Sequence, residues 1–296
     1  MDRSLYVIVL NWNGEKVIGP CLASLKRVLE PPLEIIVVDN ASSDRSIEII
    51  RREAPDAEVI VNERNLLFAA GNNVGLRRAI ERGGSYVLLL NNDTEVEPSF
   101  AAAMLASLDR APDAGIVGPK ILYDGEPKRI WYGGAGFYPL FWIPRHRDIR
   151  KIDGTFPERG GETGWVSGCA MLVRREVIER IGMLDPSYTI YCEDVDYCLR
   201  ARRAGWKVLY EPAAVVRHKV SSSSGGGFTA FKLENRIVST CRLFNRFKPR
   251  WWRVLLFPLH ALGFVILLGA LLCRGRFALL RGALRGASRV VSGNAR

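Results

Sequence analysis

Acidic and amide side chains in this chain follow apolar runs, where they could bind a cation or a phosphorylated ligand. The run from Tyr86 to Leu90 leads directly into Asn91, Asn92 and Asp93. A continuous apolar run predicts a fully buried parallel strand, and ligands of open α/β sheets sit beyond the carboxyl ends of the strands. A carboxylate there suits a divalent cation such as Mg²⁺, which completes its shell with water and phosphate oxygens. The alternative is a plain turn, because Asn, Asp and Thr also favour turns after strands.

Three further polar groups stand at the ends of predicted elements. The apolar run from Leu5 to Leu10 precedes Asn11, and a second run ends in Asp39. The pair Glu193 and Asp194 lies in or just before the first turn of a predicted helix that ends near Arg203. Acids at that position are often only partners of the helix dipole, so a catalytic role is one of two interpretations.

The elements that must position these residues alternate between strand and helix. Strands are predicted at Leu5–Leu10, Leu33–Asp39, Glu58–Val61 and Tyr86–Leu90, with helices ending near Leu29, Arg52, Arg82 and Arg110. This alternation predicts βαβ units and a mostly parallel sheet. Residues 115 to 164 break the pattern and predict a loop-rich segment or small sheet that binds a ligand, or a surface excursion. A strand is predicted at Trp165–Val173 and a helix at Arg174–Ile181. Short strands are predicted further on at Lys207–Tyr210 and Ala213–Val216. Ser221–Gly227 is predicted to be a linker or a lid.

The net charge of +11 is concentrated in the tail. Residues 235–296 hold 12 Lys and Arg and no Asp or Glu, which leaves the first 234 residues with a net charge of −1. The run Val254 to Cys273 has no charged residue and is long enough to span a bilayer core. Arginines recur every fourth residue after it, as in an amphipathic interfacial helix. These features favour a membrane surface over nucleic acid as partner, although a buried soluble helix is the alternative.

Cysteine usage and the N-terminus bear on the compartment. None of the six cysteines forms a C-x-x-C pair, which predicts reduced thiols in the cytosol. The apolar run near the N-terminus is too short for a signal peptide. We therefore expect the protein at the cytoplasmic face of the cell membrane, held there peripherally, by a re-entrant segment or by a single span.

The order of these motifs resembles the inverting glycosyltransferase family 2, especially its bacterial rhamnosyltransferase-like members, from about residue 4 to residue 250. The motifs that carry the resemblance are Val7–Gly14, Val37–Asp44, Asn65–Gly75, Asn91–Asp93, Val166–Gly168, Glu193–Asp194 and Arg217–His218. The resemblance implies a GT-A fold, which is a Rossmann-like α/β fold with a mostly parallel central sheet, followed here by a membrane-associated helical tail. It also implies a nucleoside-diphosphate sugar as donor and Mg²⁺ or Mn²⁺ as cofactor.

The resemblance also assigns roles to residues. On the donor side, Asp39 would accept from the ring N–H of a pyrimidine base and Asn11 and Trp12 would line the base pocket. The other donor-side residues it implies are Asn65, Asn72 and Asn92.

Metal binding and catalysis fall to other residues. Asp93 occupies the last position of the family's Asp-x-Asp signature and would bind the metal, with His218 completing the shell; Asn91 stands where the first acid would be. A lone His at a strand end is otherwise usually structural. Asp194 would be the general base and Glu193 would orient it.

We therefore expect three regions: a nucleotide-sugar-binding half at 1–114, an acceptor-binding half at 115–250 and a membrane-associated tail at 251–296. The expected function is the transfer of a sugar, with rhamnose as one option, to a hydroxyl of a glycan or lipid-linked acceptor in cell-surface polysaccharide synthesis. A metal-dependent nucleotidyltransferase and a non-catalytic membrane-associated nucleotide-sugar-binding protein are the alternatives. A dinucleotide-dependent oxidoreductase is disfavoured, because no G-x-G-x-x-G follows the first strand.

Overall fold

The computed structural model describes residues 4–220 and 229–292, so the predicted linker or lid at 221–227 and the last four residues of the tail lie outside it. The strands are β1 Leu5–Asn11, β2 Leu33–Asp39, β3 Glu58–Val61, β4 Tyr86–Asn91, β5 Thr94–Val96, β6 Ala114–Tyr123, β7 Ile130–Tyr132, β8 Ala135–Phe137, β9 Pro144–His146, β10 Gly161–Glu162, β11 Ala170–Arg174 and β12 Lys207–His218. The helices are α1 Ile18–Leu25, α2 Ser46–Glu53, α3 Leu67–Glu81, α4 Phe100–Arg110, α5 Arg175–Ile181, α6 Glu193–Arg203, α7 Ala230–Phe247, α8 Arg250–Cys273 and α9 Phe277–Val291.

One large sheet carries the fold, with the strand order β10-β12-β6-β11-β4-β1-β2-β3. β1 pairs in parallel with β2 and β4, β2 pairs in parallel with β3, and β6 pairs in parallel with β12. Among the described strands of this sheet, the antiparallel pairs are those made by β11 with β4 and β6, by β5 and β10 with β12, and by β7 with β6. The predicted α/β fold with a mostly parallel central sheet is therefore confirmed.

Helix α3 packs closely on β1 because two glycines face the strand. A Cβ on Gly75 would lie 2.6 Å from Ile8, and one on Gly71 would lie 2.6 Å from Leu10. Gly71 and Gly75 lower the intrinsic helix propensity of α3, and the contact explains why the helix has them. The apolar run of β1 is buried beneath α3, and Asn11 is the last residue of the strand.

The segment after Ala114 differs from the sequence prediction. It begins with β6, a ten-residue strand in the middle of the sheet, where the sequence predicts a broken pattern. Gly115 and Gly118 read as loop residues, yet a Cβ at these positions would lie 2.3 Å from Val177 and Val166 respectively. The glycines make room for neighbouring side chains, so they mark close packing instead of a turn.

Two compact units divide the chain. Unit 1 comprises the described parts of Met1–Gly136, His146–Asp185 and Asp194–Gly226, and it holds the large sheet. Unit 2 comprises the described parts of Phe137–Arg145, Pro186–Glu193 and Gly227–Arg296. In unit 2, a small core on α7, α8 and α9 is formed by Leu233, Leu271, Leu279 and Ala283. Among the described residues, α8 alone is long and apolar enough to cross a membrane, judged by length and composition.

Candidate active site

The ends of β1, β2 and β4 are aligned by their register. Asn11 lies opposite Asp39, and Leu10 lies opposite Asn91. Because these strands are parallel, the polar residues that follow each apolar run meet at one edge of the sheet. Asp93 follows Asn91 by two residues at this same edge.

A buried amide joins the three strand ends, and we call Asn11, Asp39, Ser42 and Asn92 the Asn11 network. The Asn11 amide N–H₂ donates to Asp39 Oδ2 at 2.8 Å and to Ser42 Oγ at 3.2 Å. Its oxygen accepts from Asn92 Nδ2 at 2.7 Å. Since Asn11 is fully buried, both ends of its amide are fixed inside the protein.

Asp39 is also fully buried, and both of its oxygens accept hydrogen bonds. Ser42 donates its backbone N–H to Oδ1 at 2.8 Å and its hydroxyl to Oδ2 at 2.7 Å. Trp12, by contrast, follows Asn11 directly and is 42% exposed. In this arrangement Asp39 holds Asn11 and the loop after β2, whereas Trp12 is open to a ligand.

The two predicted donor-side residues near α3 have local partners. Asn65 Oδ1 accepts from the Leu67 N–H at 2.7 Å and from Asn40 Nδ2 at 3.2 Å. Asn72 is buried, and its amide donates to the Phe68 carbonyl within its own helix. The structure therefore joins Asn65 to the loop after β2, through Asn40, and leaves Asn72 outside that set of bonds.

Asn40 is a site residue that the sequence analysis does not single out. Its amide donates to Asn65 Oδ1 and to the Leu67 carbonyl, and its own oxygen accepts from Asn62 at 2.8 Å. It follows Asp39 directly, so its place in the Val37–Asp44 motif was the available signal.

Asp93 and His218 form a buried pair. β5 pairs with the end of β12 so that Thr94 lies opposite His218, which places the imidazole beside the residue before Thr94. His218 Nε2 lies 3.1 Å from Asp93 Oδ1, and both side chains are at least 93% buried. The Trp131 ring packs edge-on against His218 at 4.8 Å.

His218 is basic in this surrounding. Burial by itself lowers the pKa of His218, but Cys169 and the Asp93 carboxylate outweigh it and raise the pKa to about 10. The imidazole is therefore a strong base with a carboxylate neighbour, and a cation bound at Nε2 would displace its proton.

The Asp93–His218 pair fits a divalent cation. Two adjacent ligands of an octahedral ion with bonds of about 2.1 Å lie about 3.0 Å apart, which is close to the observed spacing. One carboxylate oxygen and one imidazole nitrogen are ligands that Mn²⁺ and Mg²⁺ accept. Over residues 4–220 and 229–292, no group of three or more His, Cys, Asp or Glu side chains is placed to hold a metal. The remaining ligands would then be phosphate oxygens and water.

Asp194 lies at the start of α6, as the sequence predicts, with Glu193 as the first residue of the helix. Its Oδ2 accepts from the Gly168 N–H at 2.9 Å and its Oδ1 accepts from the Val195 N–H at 2.7 Å. Burial raises the pKa of Asp194 above the ordinary value, and the two backbone N–H groups act in the opposite direction without cancelling the rise. A partly exposed carboxylate with a raised pKa has the properties of a general base.

One short segment connects Asp194 to the Asp93–His218 pair. Gly168 donates to Asp194, and the next residue, Cys169, accepts from the Asn91 N–H at 2.9 Å through its carbonyl. Burial raises the pKa of the Cys169 thiol, His218 beside it lowers that pKa, and the charges of Asp93 and Asp194 raise it further. We call Asp93, Gly168, Cys169, Asp194 and His218 the Cys169 cluster.

Left-handed backbone conformations of non-glycine residues occur next to the predicted site segments. Asn13 follows Trp12 with a φ of 47°, Ala41 follows Asn40 with 58°, and Leu67 has 65°. Tyr191 and Cys192, directly before Glu193, have φ values of 71° and 68°. Such conformations cost about 1–3 kcal/mol each and cluster at functional sites. These five residues lie in or next to the sequence motifs, whereas Trp142, Asp148 and Arg150, which also have positive φ, lie outside them.

The fold and the residues at this edge of the sheet indicate a glycosyltransferase. The chain belongs to glycosyl transferase family 2, whose model matches residues 6–182. The match confirms the predicted family and rules against the nucleotidyltransferase alternative.

Known proteins agree with this assignment. Over 86% of its length the chain is 29% identical to an N-acetylglucosaminyl-diphospho-decaprenol L-rhamnosyltransferase of Mycobacterium tuberculosis, of which it covers 88%. It is 24% identical to the dTDP-rhamnosyl transferase RfbF of Shigella flexneri, with 76% of this chain and 72% of the relative covered. The crystal structure of GalNAc-T7 with UDP, GalNAc and Mn²⁺ superposes with a TM-score of 0.62 at 16% identity. That superposition covers 82% of this chain and 47% of the GalNAc-T7 chain, and it supports the fold alone.

Proposed function

We propose that this glycosyltransferase moves a sugar, with inversion, from a nucleoside-diphosphate sugar to a hydroxyl of a lipid-linked acceptor at a membrane surface. The observation that carries the proposal is the Gly168–Cys169 segment, which holds Asp194 on one side and contacts the Asp93–His218 pair on the other. A base and a pair suited to a metal therefore lie in one cluster.

Asp194 is the proposed base. Its carboxylate takes the proton of the acceptor hydroxyl as that oxygen attacks the anomeric carbon of the donor sugar. The bond between the anomeric carbon and the diphosphate oxygen breaks in the same step, and the electron pair leaves with the nucleoside diphosphate. A single displacement from the face opposite the leaving group inverts the configuration at the anomeric carbon. Glu193 is proposed only to orient this start of α6.

Asp93 and His218 are the proposed metal ligands. A divalent cation held by them would neutralise the charge that develops on the β-phosphate of the leaving group. The two side chains contribute fixed positions, since β5 and β12 hold them in register.

The Asn11 network is proposed to form the donor side. Trp12 offers an exposed ring for stacking on the nucleobase, while Asp39 and Asn92 fix the Asn11 amide from two sides. Asn65 and Asn72 remain proposed donor-side residues at the start of α3. We also propose residues 1–114 as the nucleotide-sugar half, 115–250 as the acceptor half and 251–296 as the membrane-associated tail.

The donor is proposed to be dTDP-rhamnose, because both relatives are named as rhamnosyltransferases and one of them is named for that nucleotide. The acceptor is proposed to be an N-acetylglucosaminyl diphosphate on a polyprenyl chain, the acceptor named for the mycobacterial relative. This acceptor would place the protein at the membrane, on its cytoplasmic face.

The test is a donor panel. Purified protein is incubated with dTDP-rhamnose, UDP-N-acetylglucosamine or GDP-mannose, with Mn²⁺ or Mg²⁺, and with the lipid-linked acceptor. We expect dTDP release and a rhamnosylated lipid only with the first donor, and an anomeric configuration opposite to that of the donor by NMR. Transfer from a different donor would refute the sugar assignment, and a retained configuration would refute a single displacement with Asp194 as the base. The Asp194→Asn variant is the control for spontaneous donor hydrolysis.

A further inference from the structure

Helix α8 in unit 2 is apolar on every side, but only one side is covered. Its inner face contacts the helices beside it through residues on one side of the helix: His260, Phe264, Leu267, Leu268 and Leu271. Its outer face exposes Val254, Leu255, Phe257, Leu262, Val265, Ile266 and Leu272, each by more than half. A helix that is apolar all round is normally buried all round, so the outer face requires a cover.

The inner face meets α7 over the second half of α8. Near the middle of α8, the His260 ring packs edge-on against Phe244 of α7 at 5.1 Å. Near the end of α8, Leu271 packs in the core that contains Leu233 of α7. Because Phe244 lies near the end of α7 and Leu233 near its start, the two helices run antiparallel where they meet.

Helix α7 cannot share the interior of a bilayer with α8. It carries Lys232, Glu234, Arg236, Arg242 and Arg246 within 18 residues. Charged side chains at membrane depth are costly. A span by α8 would therefore require it to leave α7 and lose the contacts of His260 and Leu271.

Helix α9 also packs against α7. Arg285 and Arg289 of α9 form ion pairs with Glu234 at 2.9 and 3.2 Å. Gly282 and Gly286 allow close approach, since a Cβ on Gly286 would lie 3.0 Å from the Glu234 carbonyl oxygen. The three helices form one packed group, and α8 lies on it as a surface helix.

Basic and aromatic residues border the outer face of α8. Arg250 and the exposed Trp251 stand at its start, and Arg274 and Arg276 follow its end. Residues 235–296 contain no acid. Arginine and tryptophan at the edges of an apolar surface suit the headgroup level of an anionic membrane.

From these observations we propose that α8 lies in the plane of an anionic membrane leaflet, with its outer face in the hydrocarbon, and does not cross the bilayer. The occupant of the outer face is the lipid leaflet. The length of α8, 24 residues, does not distinguish an in-plane helix from a span, because it would also allow a span. The charged residues of α7 distinguish them, because α7 cannot enter the bilayer together with α8.

The first test measures binding of the full chain to vesicles. The probes are vesicles of phosphatidylglycerol and phosphatidylethanolamine, compared with vesicles of phosphatidylcholine. The double substitution Val265→Asp with Ile266→Asp places two charges on the outer face and should weaken binding to the anionic vesicles by about tenfold or more. The matched control, Leu29→Asp with Val61→Asp, charges two exposed aliphatic residues of unit 1 and should leave binding unchanged.

Equal binding of the wild type to neutral and anionic vesicles would refute the anionic leaflet. A lipid-free dimer that the Val265→Asp and Ile266→Asp substitutions dissociate, without vesicle binding, would make a second copy of the chain the occupant. Thermal melting of each variant shows that it is folded. No sugar donor takes part, so failure here leaves the proposed transfer reaction untouched.

The second test distinguishes an in-plane helix from a span. A membrane-impermeant maleimide is applied to intact cells and to inverted membrane vesicles. The targets are the native Cys273, which is exposed, and a cysteine introduced by Trp251→Cys at the other end of α8. We expect both ends to react from the same side of the membrane, with Cys273→Ser identifying the native signal. Reaction of the two ends from opposite sides would overturn the proposal.

Discussion

The Asn11 network and the Cys169 cluster lie at the same sheet edge but satisfy their buried polar groups differently. In the Asn11 network, the Asn11 amide bonds to side chains alone among the described residues and is fixed at both ends. In the Cys169 cluster, backbone N–H groups hold Asp194, which keeps a raised pKa. The first arrangement is suited to hold a shape, and the second to exchange a proton or bind a cation.

The largest effect is expected at Asp93, because the proposed metal site has a single carboxylate. Asp93→Asn keeps the shape but removes the charge, so nearly all transfer should be lost while the fold remains. Turnover with saturating Mn²⁺ and thermal melting are measured side by side. Normal turnover of Asp93→Asn at ordinary metal concentration would show that Asp93 is not a ligand of the metal.

The next largest effect is expected at Asp194. Asp194→Asn cannot accept the hydroxyl proton, and loss of a general base costs about 10²–10⁴ in rate. Donor affinity by calorimetry should be almost unchanged. If donor affinity falls in proportion to the rate, Asp194 belongs to the donor site or to the structure, and the displacement lacks its base.

Asp196 provides a contrast two residues further along the same helix. It is fully buried and forms an ion pair with Arg200 at 2.8 Å. Breaking a buried pair by removing one partner costs about 3–5 kcal/mol. Asp196→Asn should therefore lower the free energy of unfolding, measured with denaturant, and leave the rate per folded molecule near normal.

A smaller effect is expected where the Asn11 network is overpacked. A Cβ on Gly14 would lie 2.2 Å from Asn11 Oδ1 and 2.4 Å from Asn92 Nδ2. Gly14→Ala should lower the free energy of unfolding by about 1–3 kcal/mol. It should also weaken donor binding more than it lowers the rate of transfer from bound donor. Gly136→Ala is the control, because a Cβ there meets no atom within 4 Å. Equal loss in both variants would show that the network is not specially packed.

The smallest expected effect is on the pH dependence of kcat/KM. Asp194 must be ionised to accept a proton, so kcat/KM should fall about tenfold per pH unit below its pKa. Because that pKa is raised from 3.8, the fall should begin at a higher pH than for an ordinary aspartate. The residual activity of Asp194→Asn should lack this acid limb. An unchanged limb in the variant would assign it to another group.

Much of the fold was predictable because its strands are continuous apolar runs. The runs before Asn11 and Asp93, and the one ending at Asp39, are parallel strands that end at one edge, as expected. The start of α6 at Glu193 was also predicted, and this prediction is confirmed. β6 was missed because Gly115 and Gly118 have the local signature of a loop, and only the packing of Val177 and Val166 explains them.

The contacts within the site were less predictable than its location. The sequence places Asp39 at the edge of the sheet, but its burial beneath Asn11 and Ser42 depends on three strands meeting. The same holds for Asn40, which gains its partners only when the loop after β2 meets the start of α3. The pairing of His218 with Asp93 needs the antiparallel contact of β5 with β12, which no local pattern encodes.

The Gly168–Cys169 segment has a thermodynamic consequence of its own. It contacts both Asp194 and the Asp93–His218 pair, so the two sites are not independent. Free energies of binding at coupled sites are reciprocal. If a cation at Asp93 and His218 changes the affinity of Asp194 for a proton by some factor, a proton on Asp194 changes the affinity of the pair for the cation by the same factor.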